Sequence, residues 1–103
     1  MALTSKQRAQ LKGLASTAET VLQVGKEGIT ENVINAANDV LRTRELIKCR
    51  VLENSMLTPR EACDALCEAC SAEPVQVIGT KFVIYKRNQK NPKIELVKDK
   101  KKK

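Results

Sequence analysis

Residues 21–32 read Val21-Leu22-Gln23-Val24-Gly25-Lys26-Glu27-Gly28-Ile29-Thr30-Glu31-Asn32. An apolar, β-branched run stops at two glycines spaced three apart, with Lys26 and Glu27 between them. Thr30 then supplies an N-cap and a helical pattern begins. The stretch is predicted to be a strand (Thr20 to Val24), a Gly-x-x-Gly turn and a helix start. Glycines permit positive φ and let an anion come close to bare backbone. The helix that follows directs its unpaired N–H groups and positive dipole end toward that turn. The combination makes a candidate phosphate cradle of Gly25, Lys26, Glu27, Gly28 and Thr30.

Downstream, Val33, Ala36, Ala37, Val40 and Leu41 fall at i, i+3, i+4, i+7 and i+8. That is the apolar stripe of an amphipathic helix, and Arg42 and Arg44 suit its negative C-terminal end. Glu45 to Leu52 alternates, with Ile47, Cys49 and Val51 on one face and Lys48 and Arg50 on the other, which predicts a strand with one side partly wet. Thr58-Pro59-Arg60-Glu61 combines an N-cap, a proline at the first helical position and a capping-box glutamate. The helix it opens is expected to run to about Ala72 and to bury Ala62, Cys63, Leu66, Ala69 and Cys70. Val75–Ile78 and Lys81–Tyr85 read as two strands joined by a Gly79-Thr80 hairpin turn. Upstream, Thr4-Ser5-Lys6-Gln7 fits a capping box ahead of a short helix with Leu11, Leu14 and Ala15 on its inner face. Beyond Lys86, Ile94 to Val97 is the one further candidate for a short edge strand. The expected order is α-β-α-β-α-β-β, an α/β domain with a four-stranded mixed sheet and right-handed β-α-β crossovers.

The 103 residues suffice for one modest core. A domain over residues 1–97 and a lysine-rich tail over residues 98–103, disordered unless bound, are expected. Formal charge is +7, and all of it resides after Tyr85, because acids and bases balance over residues 1–85. A neutral body with a cationic end suggests a polyanionic or acidic partner. The chain has no histidine, so the commonest general base is missing. No run is apolar and long enough to span a bilayer, and no secretory h-region opens the chain, so a cytoplasmic location is expected.

Cys63, Cys67 and Cys70 have the Cys-x3-Cys-x2-Cys spacing that some enzymes use to hold an iron–sulfur cluster. A small redox or iron–sulfur protein is therefore one alternative, and a protein–protein adaptor with a cationic tail is another. The spacing lies inside a well-capped helix, however, at i, i+4 and i+7. Cluster ligands converge from loops, whereas these thiols replace small apolar residues on a buried stripe. Cys49 lies in mid-strand with no second Cys-x-x-Cys or histidine to complete a zinc set. Neither a metal nor a cofactor is expected. Glu61, Asp64 and Glu68 share the outer side of the same helix and read as solvated surface. Lys6, Arg8 and Lys12 on the first helix, Lys26 in the glycine turn, and Lys86 and Arg87 after the last strand form the cationic set. Phe82 and Tyr85 face opposite ways and cannot make a stacking platform, so contacts to phosphate and sugar are favoured, as in a Gly-x-x-Gly clamp.

Over residues 3 to about 96 the chain resembles the bacterial YhbY proteins, stand-alone versions of the CRM RNA-binding domain. The markers are Leu3-Thr4-Ser5-Lys6-Gln7, Leu11-Lys12-Gly13-Leu14-Ala15 and Val24-Gly25-Lys26-Glu27-Gly28-Ile29-Thr30. Glu45-Leu46-Ile47-Lys48, Val75-Gln76-Val77-Ile78-Gly79 and Val83-Ile84-Tyr85-Lys86 complete them. The resemblance implies a fold similar to the C-terminal domain of bacterial translation initiation factor three. It also implies association with ribosomal RNA in precursor large subunits, and RNA contact through Gly25, Lys26, Glu27 and Gly28. Glu27 departs from a family loop that is often basic. Together these readings predict a monomeric, non-enzymatic RNA-binding protein with no small-molecule substrate.

Overall fold

The computed structural model describes residues 3–87 and Ile94. Its elements follow the expected order: α1 (Ser5–Ala15), β1 (Thr20–Val24), α2 (Glu31–Arg44), β2 (Leu46–Val51), α3 (Pro59–Cys70), β3 (Glu73–Ile78) and β4 (Lys81–Tyr85). The strands form one sheet in the order β1-β2-β4-β3. β1 pairs with β2 in parallel, and β4 runs antiparallel to both its neighbours. The β2-α3-β3 connection therefore leaves a gap of one strand, which the β3–β4 hairpin folds back to fill.

Helix ends are set by side chains. Thr4 accepts from Gln7 N at 3.1 Å while Gln7 Oε1 accepts from Thr4 N at 3.1 Å. Thr58 and Glu61 repeat this exchange at 3.1 and 2.9 Å. Each such box satisfies two N–H groups that the helix cannot.

Alternation along β4 divides the core. Phe82 and Ile84 point to one face of the sheet, where α2 and α3 enclose Ala37, Leu41, Leu66 and the four cysteines. Val83 and Tyr85 point to the other, where α1 contributes Leu11 and Ala15. Among the described residues one helix covers the second face, against two on the first. Both aromatics are buried, at 1% exposure each, so neither is offered to a base.

Several expectations need correcting. Ala69 is exposed, because the buried stripe of α3 runs through Ala62, Cys63, Leu66, Cys67 and Cys70 and Cys67 occupies the place assigned to it. That helix ends at Cys70, where Ser71 turns left-handed with φ 58°. Leu14 lies at the rim of α1, 46% exposed. β3 starts at Glu73, two residues before the expected Val75. Pro74 is tolerated there because β3 is an edge strand, with a register irregularity between Pro74 and Gln76. Glu45 belongs to no strand: it closes α2 at φ 65° and is fully buried. Its N–H donates to Leu41 O at 2.8 Å and its carbonyl accepts from Lys86 N at 2.8 Å. Its carboxylate accepts from Ile94 N at 2.6 Å. The expected strand over Ile94–Val97 and the lysine tail lie outside the described residues, Ile94 excepted; Ile94 packs beside Leu46 against the α1 cluster.

Candidate nucleic-acid interface

The glycine turn caps the end of the sheet at which β1 and β2 finish. Leu52 N donates to Val24 O at 2.9 Å, carrying the β1–β2 ladder one step past the strands. Gly28 N then donates to Gly25 O at 3.0 Å, closing a tight turn with Lys26 and Glu27 exposed at its corners. Gly28 has φ +76°, a conformation other residues adopt only at a cost. Gly25 stays outside that region, so its small size, not its φ, is what the turn uses.

The floor under the turn comes from the β2–α3 connection. A Cβ at Gly28 would meet Leu57 Cδ1 at 3.5 Å, and one at Gly25 would meet Leu52 Cδ1 at 3.6 Å. Leu57 is itself held by a local exchange, its N–H donating to Ser55 Oγ at 3.0 Å and its carbonyl accepting from that hydroxyl at 3.3 Å. Ile29 and Leu57 both pack on the main core, so the turn rests on a rigid base.

Behind it, Thr30 caps α2 by accepting from Val33 N at 3.2 Å, and Ile34 N donates to Thr30 O at 2.9 Å. The amides of Glu31 and Asn32 open the helix and have no carbonyl within it to bond. The turn, Thr30 and Val33 line a shallow concavity of about 300 Å³. Its side-chain charge is not positive, since Lys26 is outweighed by Glu27 and the first-turn Glu31. Attraction of an anion here rests on backbone amides and the helix dipole.

The other expected contact residues do not gather at the turn. Lys6 is exposed in the first turn of α1, and Lys12 is exposed further along it. Lys12 lines a separate concavity of about 280 Å³ over the α1 face of the sheet, with Lys48, Gln76 and Lys81. Lys86 and Arg87 follow β4 beyond the Leu46–Tyr85 rung, at the opposite end of the sheet from the glycines. The sequence places Lys48 on the wetter face of its strand and Lys81 at the start of another, outside the expected contact set. Their alternation and their pairing were the signals for them, but without the strand order the two could not be seen to converge.

The cysteines are core material. All four are free and buried, and Cys70 Sγ reaches Ile34 O at 3.9 Å. Burial pushes the Cys49 thiol up to about 12. The hydrogen bond between Cys67 and Cys63 holds Cys67 protonated, with burial adding to it, so its pKa is raised. Burial also raises that of Cys70. Those three thiols are poor nucleophiles and poor ligands, whereas the same hydrogen bond from Cys67 lowers the pKa of Cys63. Among the described residues no group of three or more His, Cys, Asp or Glu is placed to hold a metal ion, and no helix is long and apolar enough to cross a membrane.

The family model described as the CRS1 / YhbY (CRM) domain matches residues 3–86. The "Probable RNA-binding protein YqeI" of Bacillus subtilis is 37% identical over 94 residues, covering 91% of this chain and 98% of that protein. The "Probable RNA-binding protein MJ0652" of Methanocaldococcus jannaschii is 34% identical, with 96% and 80% covered. The solution structure of SAV1595 from Staphylococcus aureus superposes with a TM-score of 0.78 at 44% identity, over 93% of this chain and all of that one. The matched span begins at Leu3 beneath α1, takes in the glycine turn and stops one residue after β4; fold and sequence agree over the whole described body, and the chain belongs to the CRS1/YhbY (CRM) family.

Proposed function

We propose that this protein is a non-enzymatic RNA-binding protein that associates with ribosomal RNA in precursors of the large ribosomal subunit and assists their assembly. It acts as a monomer in the cytoplasm and needs no cofactor. The observation that carries the reading is the Gly25–Gly28 turn, which presents bare backbone beside the open N-terminus of α2. A phosphate seated there accepts from backbone amides, while Lys26 neutralises one neighbouring phosphate. Lys6, Lys12, Lys86 and Arg87 extend the footprint, and the lysine-rich end, outside the described residues, adds attraction without sequence choice. The names of the relatives, which are called RNA-binding proteins, support the same class of partner. With ~5 phosphates neutralised, affinity falls with salt at a log–log slope of about −3.5 to −4.5.

The test is sedimentation of lysate through a sucrose gradient, following wild type, Gly28→Asp and Gly28→Asn. Asn and Asp tolerate the left-handed backbone of Gly28 similarly, so the pair isolates the added negative charge. Wild type and Gly28→Asn are expected with large-subunit precursors, and Gly28→Asp at the top. Wild type remaining at the top in low salt removes ribosome assembly from the reading.

A further inference from the structure

The glycine turn has the geometry of an anion site but not its charge, and the cations stand elsewhere on the same end of the molecule. Strand pairing places Arg50 directly opposite Lys81, with Gln23 on the far side of Arg50 and Ile78 on the far side of Lys81. All four are exposed. One step further in on the same face, Lys48 lies opposite Val83, and Lys12 reaches across from α1 to line the concavity that Lys48 and Lys81 also line. This rung and the glycine turn are neighbours, because Gln23 and Arg50 are paired just before β1 runs into Gly25.

Four cations thus share one sheet face that α1 leaves open. None of the described residues lining the concavity is acidic. Among the described residues none of the four has a carboxylate partner, whereas Arg42 pairs with Asp39 at 2.6 Å and Arg60 with Asp64 at 3.6 Å. Like charges directly opposite on paired strands repel, and among the described residues no ion pair with an acid relieves them. A polyanion laid over the rung does so.

We infer that the open α1-side face of the sheet, through Arg50, Lys81, Lys48 and Lys12, is the track for the sugar–phosphate backbone of a single RNA strand that enters over the Gly25–Gly28 turn. The inference rests on the RNA-binding reading above and adds its path. The turn fixes one phosphate by amides, and the rung neutralises those that follow. With both aromatics buried, the track reads no bases, and Ile78, 61% exposed beside Lys81, offers apolar surface to a ribose.

The test is fluorescence anisotropy of labelled oligouridylate titrated with the full chain across a salt series. Arg50→Gln/Lys81→Gln is compared with Arg42→Gln/Arg44→Gln, which removes the same charge from the last turn of α2. At about 0.7 per phosphate contact for single strands, the sheet pair is expected to lower the slope by about 1.4, and the α2 pair to leave it unchanged. If circular dichroism shows the sheet pair unfolded, Lys12→Gln/Lys48→Gln carries the same expectation. Wild-type binding with an unchanged slope in the sheet variants overturns the track and leaves the RNA reading standing. Equal falls in both pairs reduce the effect to net charge and overturn it too. A sheet variant that loses polyglutamate binding but keeps its RNA slope assigns the face to an acidic protein. No oligouridylate binding by wild type at low salt removes both readings together.

Discussion

Replacing each glycine of the turn by alanine separates backbone strain from bare-backbone access. At Gly28 the backbone has φ +76°, and an L-residue held in the left-handed region costs about 1–2 kcal/mol. The new methyl meets Leu57 Cδ1 at 3.5 Å, ordinary contact distance, so no clash adds to this. Loss of glycine's freedom in the unfolded chain returns about 0.4–1 kcal/mol. Gly28→Ala is thus expected to destabilise by about 1 kcal/mol, or about 4–8 °C in Tm for a domain of this size. At Gly25 the φ is not left-handed, and the methyl meets Leu52 Cδ1 at 3.6 Å and Asn54 Oδ1 at 3.9 Å. Gly25→Ala should therefore be neutral or stabilise by up to about 1 kcal/mol. Urea unfolding of both variants measures the difference, and oligouridylate binding at matched folded fraction measures access. Gly25→Ala is expected to weaken RNA binding with stability intact. Equal stability losses at the two positions would refute the assignment of strain to Gly28 alone, and full RNA affinity in Gly25→Ala would refute backbone approach at that glycine.

Tyr85 has its hydroxyl buried without a hydrogen-bond partner among the described residues, and burial followed by Glu45 raises its pKa. Tyr85→Phe is expected to raise stability by about 1 kcal/mol, from the 1–3 kcal/mol that an unsatisfied buried group costs; a fall in the urea midpoint would contradict this. Ser71 ends α3 in the left-handed region and is exposed. Ser71→Gly should stabilise by about 1 kcal/mol, read as a rise in Tm, and no rise would place the helix stop elsewhere. Cys49 keeps its proton to about pH 12 in the fold and loses it near 9 in the unfolded chain. Between those values the unfolded state binds fewer protons, so stability falls as pH rises, by up to about 1.4 kcal/mol per unit for this thiol. Cys49→Ala should flatten the wild-type decline across that window, and parallel curves would show that Cys49 does not titrate there.

The elements most legible in the sequence were those whose signals are local. Thr4 with Gln7 and Thr58 with Glu61 mark helix starts by chemistry contained in four residues, and both boxes close as read. The five-residue strand before Gly25 and the Gly79-Thr80 hairpin turn are local in the same sense. What was missed depends on distant partners. Glu45 looked like the first residue of an alternating strand, yet it is a helix terminator whose buried polar groups bond to residues distant in sequence, Lys86 just after β4 and Ile94. The strand expected from Val75 begins at Glu73 and takes in Pro74, which an edge position accommodates, and edge status follows from the strand order. The same holds for the candidate site. The glycine turn lay in the sequence as one continuous string, whereas Arg50 and Lys81 are thirty-one positions apart and become neighbours only when β4 inserts beside β2.

Glu45 also decides where the C-terminal segment starts. By accepting from Ile94 N and Lys86 N, it fastens the chain to the Leu46–Tyr85 end of the sheet, whereas the glycine turn adjoins the Gln23–Arg50 end. Lys86 and Arg87 therefore lie at one end of the domain, and the proposed phosphate cradle lies at the other. On the proposed reading, an RNA held by the cradle and by Lys86 and Arg87 runs the length of the sheet, so these two grips are separate attachments joined by a rigid spacer. Once one has closed, the other faces a local concentration set by that spacer rather than by the solution. Short oligonucleotides that reach only one grip should gain nothing from the second, and affinity should step upward with strand length instead of climbing smoothly.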